Sequence, residues 1–331
     1  VDDRYGSITE FVAQLRSVLV GDATPLGAAV EVDVEVGNPY KGLRAFDAAD
    51  AADFHGRERL VERLIARLGE PGTRGRFVAV VGPSGSGKSS LVKAGLLPAL
   101  RSGALPQSQR WFTVEMTPAP HPFEALEEAL LGVAVDPPIS LLEQLVGDEG
   151  VHKAVRRVLP SDGSQLLLVI DQFEELFTQV APSVATHFLD TLVAAVTDQH
   201  SRVRVVVTLR ADFYDRPLRH RGIGELLHDG TQIVTPMTPE ELERAITGPA
   251  EPLGVTFEPA LVAELVRDVV DRAGALPLLQ YTLTELFDRR QGARITAATY
   301  GDIGGVSGAL IQRAEGLLGG LGEAAHDVAR Q

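Results

Sequence analysis

Gly82-Pro83-Ser84-Gly85-Ser86-Gly87-Lys88-Ser89 carries a complete GxxxxGK[ST] pattern. Glycines at these places let backbone N–H groups turn inward around phosphate oxygens, and the N-terminus of a following helix adds partial positive charge. Lys88 is then placed to reach β and γ phosphates and Ser89 to ligate Mg²⁺, with Ser90 next in the same cradle. A second group, Leu166-Leu167-Leu168-Val169-Ile170-Asp171-Gln172-Phe173-Glu174-Glu175, is an apolar run that ends in an acid, with two more acids close behind. Asp171 can hold the magnesium, while Glu174 or Glu175 can polarise the water that attacks a γ phosphate; Glu174 is favoured. A third, VRVVVTLR (203–210), ends in the polar residues Thr208 and Arg210. Arg210 is the candidate for the γ phosphate because guanidinium is always charged and pairs with phosphate oxygens in bidentate fashion. The competing reading has it cap a strand end and pair with Asp212 or Asp215.

Each group needs an element to hold it. FVAVV (77–81) runs directly into the glycine loop and helical spacing over 87–100 follows it. WFTVEM (111–116), LLLVI (166–170), VRVVVTL (203–209) and TQIVT (231–235) are also short and rich in β-branched residues, and helical spacing recurs at 123–131 and 185–199. Strands separated by helices predict an α/β fold, here a P-loop NTPase with a five-stranded parallel sheet covered on both faces. The strand that carries Arg210 is expected between those of the P-loop and Asp171. Beyond Pro236 the pattern is helical only: Thr238-Pro239-Glu240-Glu241 forms a capping box, and helices are predicted at 239–247, 259–273, 277–290 and 306–318.

Upstream, residues 1–20 form an amphipathic pattern (Ile8, Phe11, Val12, Leu15, Val18, Leu19) with Ser7 and Glu10 as a capping box. Residues 21–37 suit an edge strand or a linker, and linker is favoured. The expected organisation is a helix over 1–20, a linker over 21–37, a nucleotide-binding domain over 38–236, a helical lid over 237–303 and the start of a winged-helix domain over 304–331. The 331 residues hold 44% hydrophobic residues, enough for a packed core, and no cysteine, which excludes disulfides, thiolate metal sites and a Cys nucleophile. With 31 basic against 45 acidic residues the formal charge is −14, which repels nucleic-acid phosphates and anionic membranes. No apolar run approaches the roughly 18 residues of a membrane span, so a cytoplasmic location is expected. The first residue is not Met, and the pattern at the end is still helical, so a piece of a longer polypeptide is expected.

Taken together, Phe54-His55-Gly56-Arg57-Glu58, the P-loop, Asp171-Gln172-Phe173-Glu174-Glu175, the strand ending at Arg210 and Gly274-Ala275-Leu276-Pro277 closely resemble the STAND class of signal-transduction ATPases over residues 38 to 331. The likeness is to the bacterial novel-STAND NTPases, whose opening is like Asn38-Pro39-Tyr40-Lys41-Gly42-Leu43; NACHT and NB-ARC regulators are kin. The resemblance implies Phe54 and Arg57 beside adenine and ribose and Pro277 against the base. It also implies a C-terminal WD-repeat propeller in the full-length chain. Where relatives have Gly two residues before that Pro, this chain has Ala275, with Gly274 one position earlier. A winged-helix histidine falls beyond Gln331, and His326 comes too early to fill its place. Asp3-Arg4-Tyr5-Gly6-Ser7-Ile8-Thr9-Glu10-Phe11 is similar to the last helix of bacterial Ser/Thr protein kinase domains, and equally to any capped amphipathic helix.

The reading that follows is a switch binding ATP or ADP with Mg²⁺, with slow hydrolysis, self-association when activated, and neither nucleic-acid nor membrane binding. Two alternatives stand beside it, an AAA+-type motor or loader and a nucleotide-dependent scaffold that never hydrolyses. A small-molecule P-loop kinase is more distant, because the long helical module does not suggest a lid for an acceptor substrate.

Overall fold

The computed structural model describes residues 37–147, 150–270, 272 and 274–309. The amphipathic pattern at 1–20, the stretch 21–36 and everything after residue 309 lie outside the described residues. Phe77–Gly82 (β1), Phe112–Met116 (β2), Leu166–Ile170 (β3), Val203–Arg210 (β4) and Thr231–Ile233 (β5) form one sheet in the order β2-β3-β4-β1-β5. All four pairings are parallel. The strand of Arg210 thus stands between those of the P-loop and Asp171, and Gly82 faces Arg210 in register.

Alternation along β1 divides the core in two. Phe77, Ala79 and Val81 pack with Leu126, Val155, Phe188 and Leu227 on one side. Val78 and Val80 pack on the other with Leu60, Leu64 and Leu68 of the helix Glu58–Leu68 and with Leu91, Val92 and Leu96. A strand buried on both faces has no polar side to show, so its sequence reads as a continuous apolar run. The Asp171 and Arg210 ends of β3 and β4 lie at their carboxyl ends, beside the loop that leaves β1, where open parallel sheets bind ligands.

Past the sheet, Thr238 caps Pro239–Thr247: its hydroxyl accepts the Glu241 N–H while the Glu241 carboxylate accepts the Thr238 N–H. Pro259–Val269 and Leu276–Asp288 follow, then Ala297–Asp302. This module is not purely helical: Thr256–Phe257 (β6) and Arg294–Ile295 (β7) pair in parallel. Strands of two residues fall below the length at which alternation can be read. The predicted helix 185–199 begins earlier, at Pro182, because proline is well placed in a first helical turn.

Candidate nucleotide site

The loop after β1 is shaped by its glycines. Gly85 and Gly87 have φ of +71° and +85°, in the left-handed region that side chains disfavour. A Cβ on Gly85 would stand 3.1 Å from the Cα of Gly274 and 3.5 Å from Cδ of Pro277. The loop tip therefore packs directly against the start of the helix Leu276–Asp288. Gly274 itself has φ +73°, whereas Ala275 beside it is in the right-handed helical region that any residue adopts.

Lys88 is buried, and its Nζ donates to the carbonyls of Gly82 (3.0 Å) and Pro83 (2.8 Å). Burial pulls its pKa below the ordinary lysine value, with the Glu174 carboxylate opposing that shift. Ser86 Oγ is buried and, among the described residues, has no hydrogen-bond partner. Ser90 points away from the loop, its hydroxyl accepting the Phe46 N–H at 3.1 Å.

Asp171 anchors the other side. Its Oδ1 accepts from Ser89 Oγ (2.7 Å) and Thr208 Oγ1 (2.6 Å), and its Oδ2 lies 3.2 Å from Lys93 Nζ. Burial pushes the carboxyl pKa up, but the Thr208 and Ser89 hydrogen bonds and Lys93 outweigh it, so the net shift is downward. No group of three or more His, Cys, Asp or Glu suited to a metal occurs among the described residues. A hydroxyl and a carboxylate in contact fit magnesium, which takes one or two protein oxygens and completes its shell with phosphate and water.

The two glutamates differ. Glu174 is buried and its Oε2 accepts the Arg210 N–H at 3.2 Å, on the Lys88 side of the sheet. Glu175 is half-buried in the turn Phe173–Phe177, where its N–H donates to Gln172. Arg210 is exposed at its side chain, which makes a bidentate pair with Asp212 (3.1 and 2.7 Å). The competing pairing with Asp212 is thus the one the structure contains, and the buried polar group on β4 is Thr208 instead.

Phe54, Arg57 and Pro277 line one cavity of about 240 Å³ together with Gly85, Ser86, Gly87, Lys88, Ser89 and Ser90. Arg57 spends its guanidinium on the protein: it donates to Thr235 O (3.0 Å) and Ser86 O (3.4 Å) and stands 3.7 Å from Glu241. It therefore ties the P-loop, the end of β5 and the capped helix Pro239–Thr247 together. Burial lowers its pKa, with the Glu241 charge opposing the shift.

Three parts of this site escape sequence reasoning. Lys93 sits in the π-helical stretch Leu91–Leu96, and its partner is fixed only by tertiary structure. The strap Gly42–Phe46 forms one cavity wall, and Met237, Leu276 and Gln280 complete the other. Tyr40 anchors the strap on the helix Pro239–Thr247 through Ile246 O (2.5 Å), between the rings of Phe257 and Phe287. The Asn-Pro-Tyr-Lys-Gly-Leu stretch was the available signal, though its packing could not be read from it.

Comparison with known proteins adds three findings. The family model described as Novel STAND NTPase 1 matches residues 39–331. Among curated proteins none matches the chain. Among solved structures, the Aeropyrum pernix ORC1 protein, determined in complex with DNA, is 19% identical at TM-score 0.54, over 83% of this chain and 71% of that one. The Walker-type ATPase paby2304 of Pyrococcus abyssi is 14% identical at TM-score 0.52, over 87% and 79%. At such identities the likeness is one of fold.

Proposed function

The chain belongs to the novel STAND NTPase family, and from that premise we propose that it is an ATP/ADP switch whose bound nucleotide decides whether lid and sheet stay joined. The observation that carries this reading is the contact of the P-loop tip at Gly85 with Gly274 and Pro277 of the lid. Both elements line the same cavity, so a nucleotide with its phosphates on the loop and its base against the lid touches both at once. A ligand moves such an equilibrium only by binding one state better than the other. ADP favouring the closed arrangement and ATP the open one would be enough; the open form is the one proposed to self-associate.

For hydrolysis, Lys88 leaves the carbonyls of Gly82 and Pro83 for the β and γ phosphates, exchanging one pair of hydrogen bonds for a charge-assisted set. Ser89 and Asp171 would hold magnesium, which supplies neutralising charge at the phosphate oxygens. Glu174 takes the proton of the attacking water, and Arg210 exchanges Asp212 for the γ phosphate. Slow turnover suits a switch. The excess of acid over base supports a role without nucleic acid, a reading that concerns this chain and not the DNA-bound ORC1 protein.

Denaturing the purified protein and identifying released nucleotide by chromatography tests this directly, with Lys88→Ala in parallel. Stoichiometric ADP, lost in the variant, is the expected result. A nucleotide-free protein with fast ATP turnover would move the reading to a motor-type ATPase.

A further inference from the structure

We propose that Gln280 reads the base, donating a hydrogen bond from its side-chain amide to an acceptor nitrogen of the purine ring. This rests on the nucleotide reading and adds a residue to it. Gln280 lies three residues after Pro277 on the lid helix, so both occupy neighbouring places on one helix face. Both line the cavity, together with Phe46, Phe54, Met237, Leu276 and Leu279. These side chains offer a base apolar surface, and Gln280 adds a hydrogen-bonding group beside them.

The orientation of the amide is fixed chemically. The backbone N–H of Lys41 donates to Gln280 Oε1 at 3.3 Å, and an N–H cannot donate to the amide's other end. Lys41 is itself held: its Nζ pairs with Asp53 (2.7 Å) and Asp50 (3.1 Å), while the strap is pinned on either side by Tyr40 and by the Phe46 N–H on Ser90. Nε2 is therefore the end of the amide left to donate elsewhere. A purine ring buried in an apolar pocket has unprotonated nitrogens that lose water and need such a donor. A flip would set the Nε2 donors against the Lys41 N–H, so the amide keeps its donor end free, and a base with an N–H at that place meets two opposed donors.

The test is titration calorimetry of ADP and its 1-deaza, 3-deaza and 7-deaza analogues with the wild-type chain, Gln280→Glu and Gln280→Leu, each first freed of any co-purified nucleotide. Gln280→Glu keeps an oxygen for the Lys41 N–H but has no donor, so it separates reading the base from propping the strap. Expected are an ADP affinity about tenfold or more weaker in both variants and one analogue that binds the wild type about tenfold weaker than ADP. In Gln280→Leu that same analogue and ADP should bind alike. Wild-type affinity for ADP in Gln280→Glu would overturn the assignment, as would analogue losses equal in wild type and Gln280→Leu. A wild-type chain that binds no ADP would overturn the nucleotide reading itself, and this inference with it. Should Gln280→Leu unfold, Gln280→Glu still decides through the analogues, because it retains the strap contact and in it too the weakened analogue and ADP should bind alike.

Discussion

Glu174 and Glu175 are chemically alike and adjacent, so their surroundings must separate them. Glu174 is buried against the Arg210 backbone, whereas Glu175 is only half-buried. Glu174→Gln should lower the ATPase rate by about a hundredfold or more, the usual size of a general-base loss, and leave ADP affinity within a few-fold. Glu175→Gln should change the rate by only a few-fold in the same phosphate-release assay. Thr208 carries a second expectation. Its hydroxyl donates to Asp171 and accepts the Gln172 N–H at 2.9 Å, so the isosteric Thr208→Val removes a buried hydrogen bond to the carboxylate and a partly buried one from the backbone. A loss of about 1–3 kcal/mol in urea unfolding should follow. The sequence singled out Thr208 and Arg210 as a pair but preferred Arg210. Both face the same side of β4, and which one meets Asp171 depends on the register of β3 on β4, where Ile170 stands opposite Val207. Register between strands distant in sequence leaves no local trace.

Among the elements, the glycine loop and the start of the helix Leu276–Asp288 are held together by close backbone approach. Gly85→Ala would put a methyl group 3.1 Å from the Gly274 Cα in a backbone conformation that alanine resists. It should weaken nucleotide retention and raise proteolytic sensitivity near residue 274, as limited proteolysis with and without ADP would show. The turn Ala48–Asp53 beside the strap carries a pH expectation. Asp50 accepts two hydrogen bonds from Arg44 (2.5 and 2.8 Å), and this pairing with Arg44, helped by the Asp47 N–H and Lys41 and opposed by burial, holds its carboxyl far below the ordinary aspartate range. A depressed folded-state pKa contributes stability that is fully present above the unfolded value and is lost as pH falls below it. Asp50→Asn should therefore destabilise the protein at pH 7, with the gap to wild type narrowing below about pH 4 in acid-dependent thermal melts. The sheet strands, the P-loop helix and the capping box at Thr238 were legible because each is written in local spacing and caps. The strap was not, because Tyr40, Lys41 and Phe46 gain meaning only from partners on the lid and the P-loop helix.

For the molecule as a whole, a ligand that binds only the folded form adds to its stability by mass action. ADP at about a hundred times its dissociation constant should contribute about 2.7 kcal/mol, which raises the melting temperature by several degrees in a thermal-shift series. Lys88→Ala should remove that rise and leave the ligand-free melt near wild type. The α/β class was legible from alternating strands and helices, as was the place of β4 between β1 and β3, while the positions of β2 and β5 at the sheet's edges were not. That order has a consequence for how the protein is made. The nucleotide loop hangs from β1, which is made before the other strands of the sheet, yet its neighbours there are β4 and β5. Phe77 must wait for Val205, and Ala79 for Thr231, before either has a partner on its flank. Contacts so far apart in sequence are slow to form and leave β1 exposed while the ribosome works. A nascent chain that stops short of Ile233 therefore carries the phosphate-binding sequence without the flanking strand that supports it, and translation past that point is the earliest moment at which nucleotide can begin to act as a folding aid.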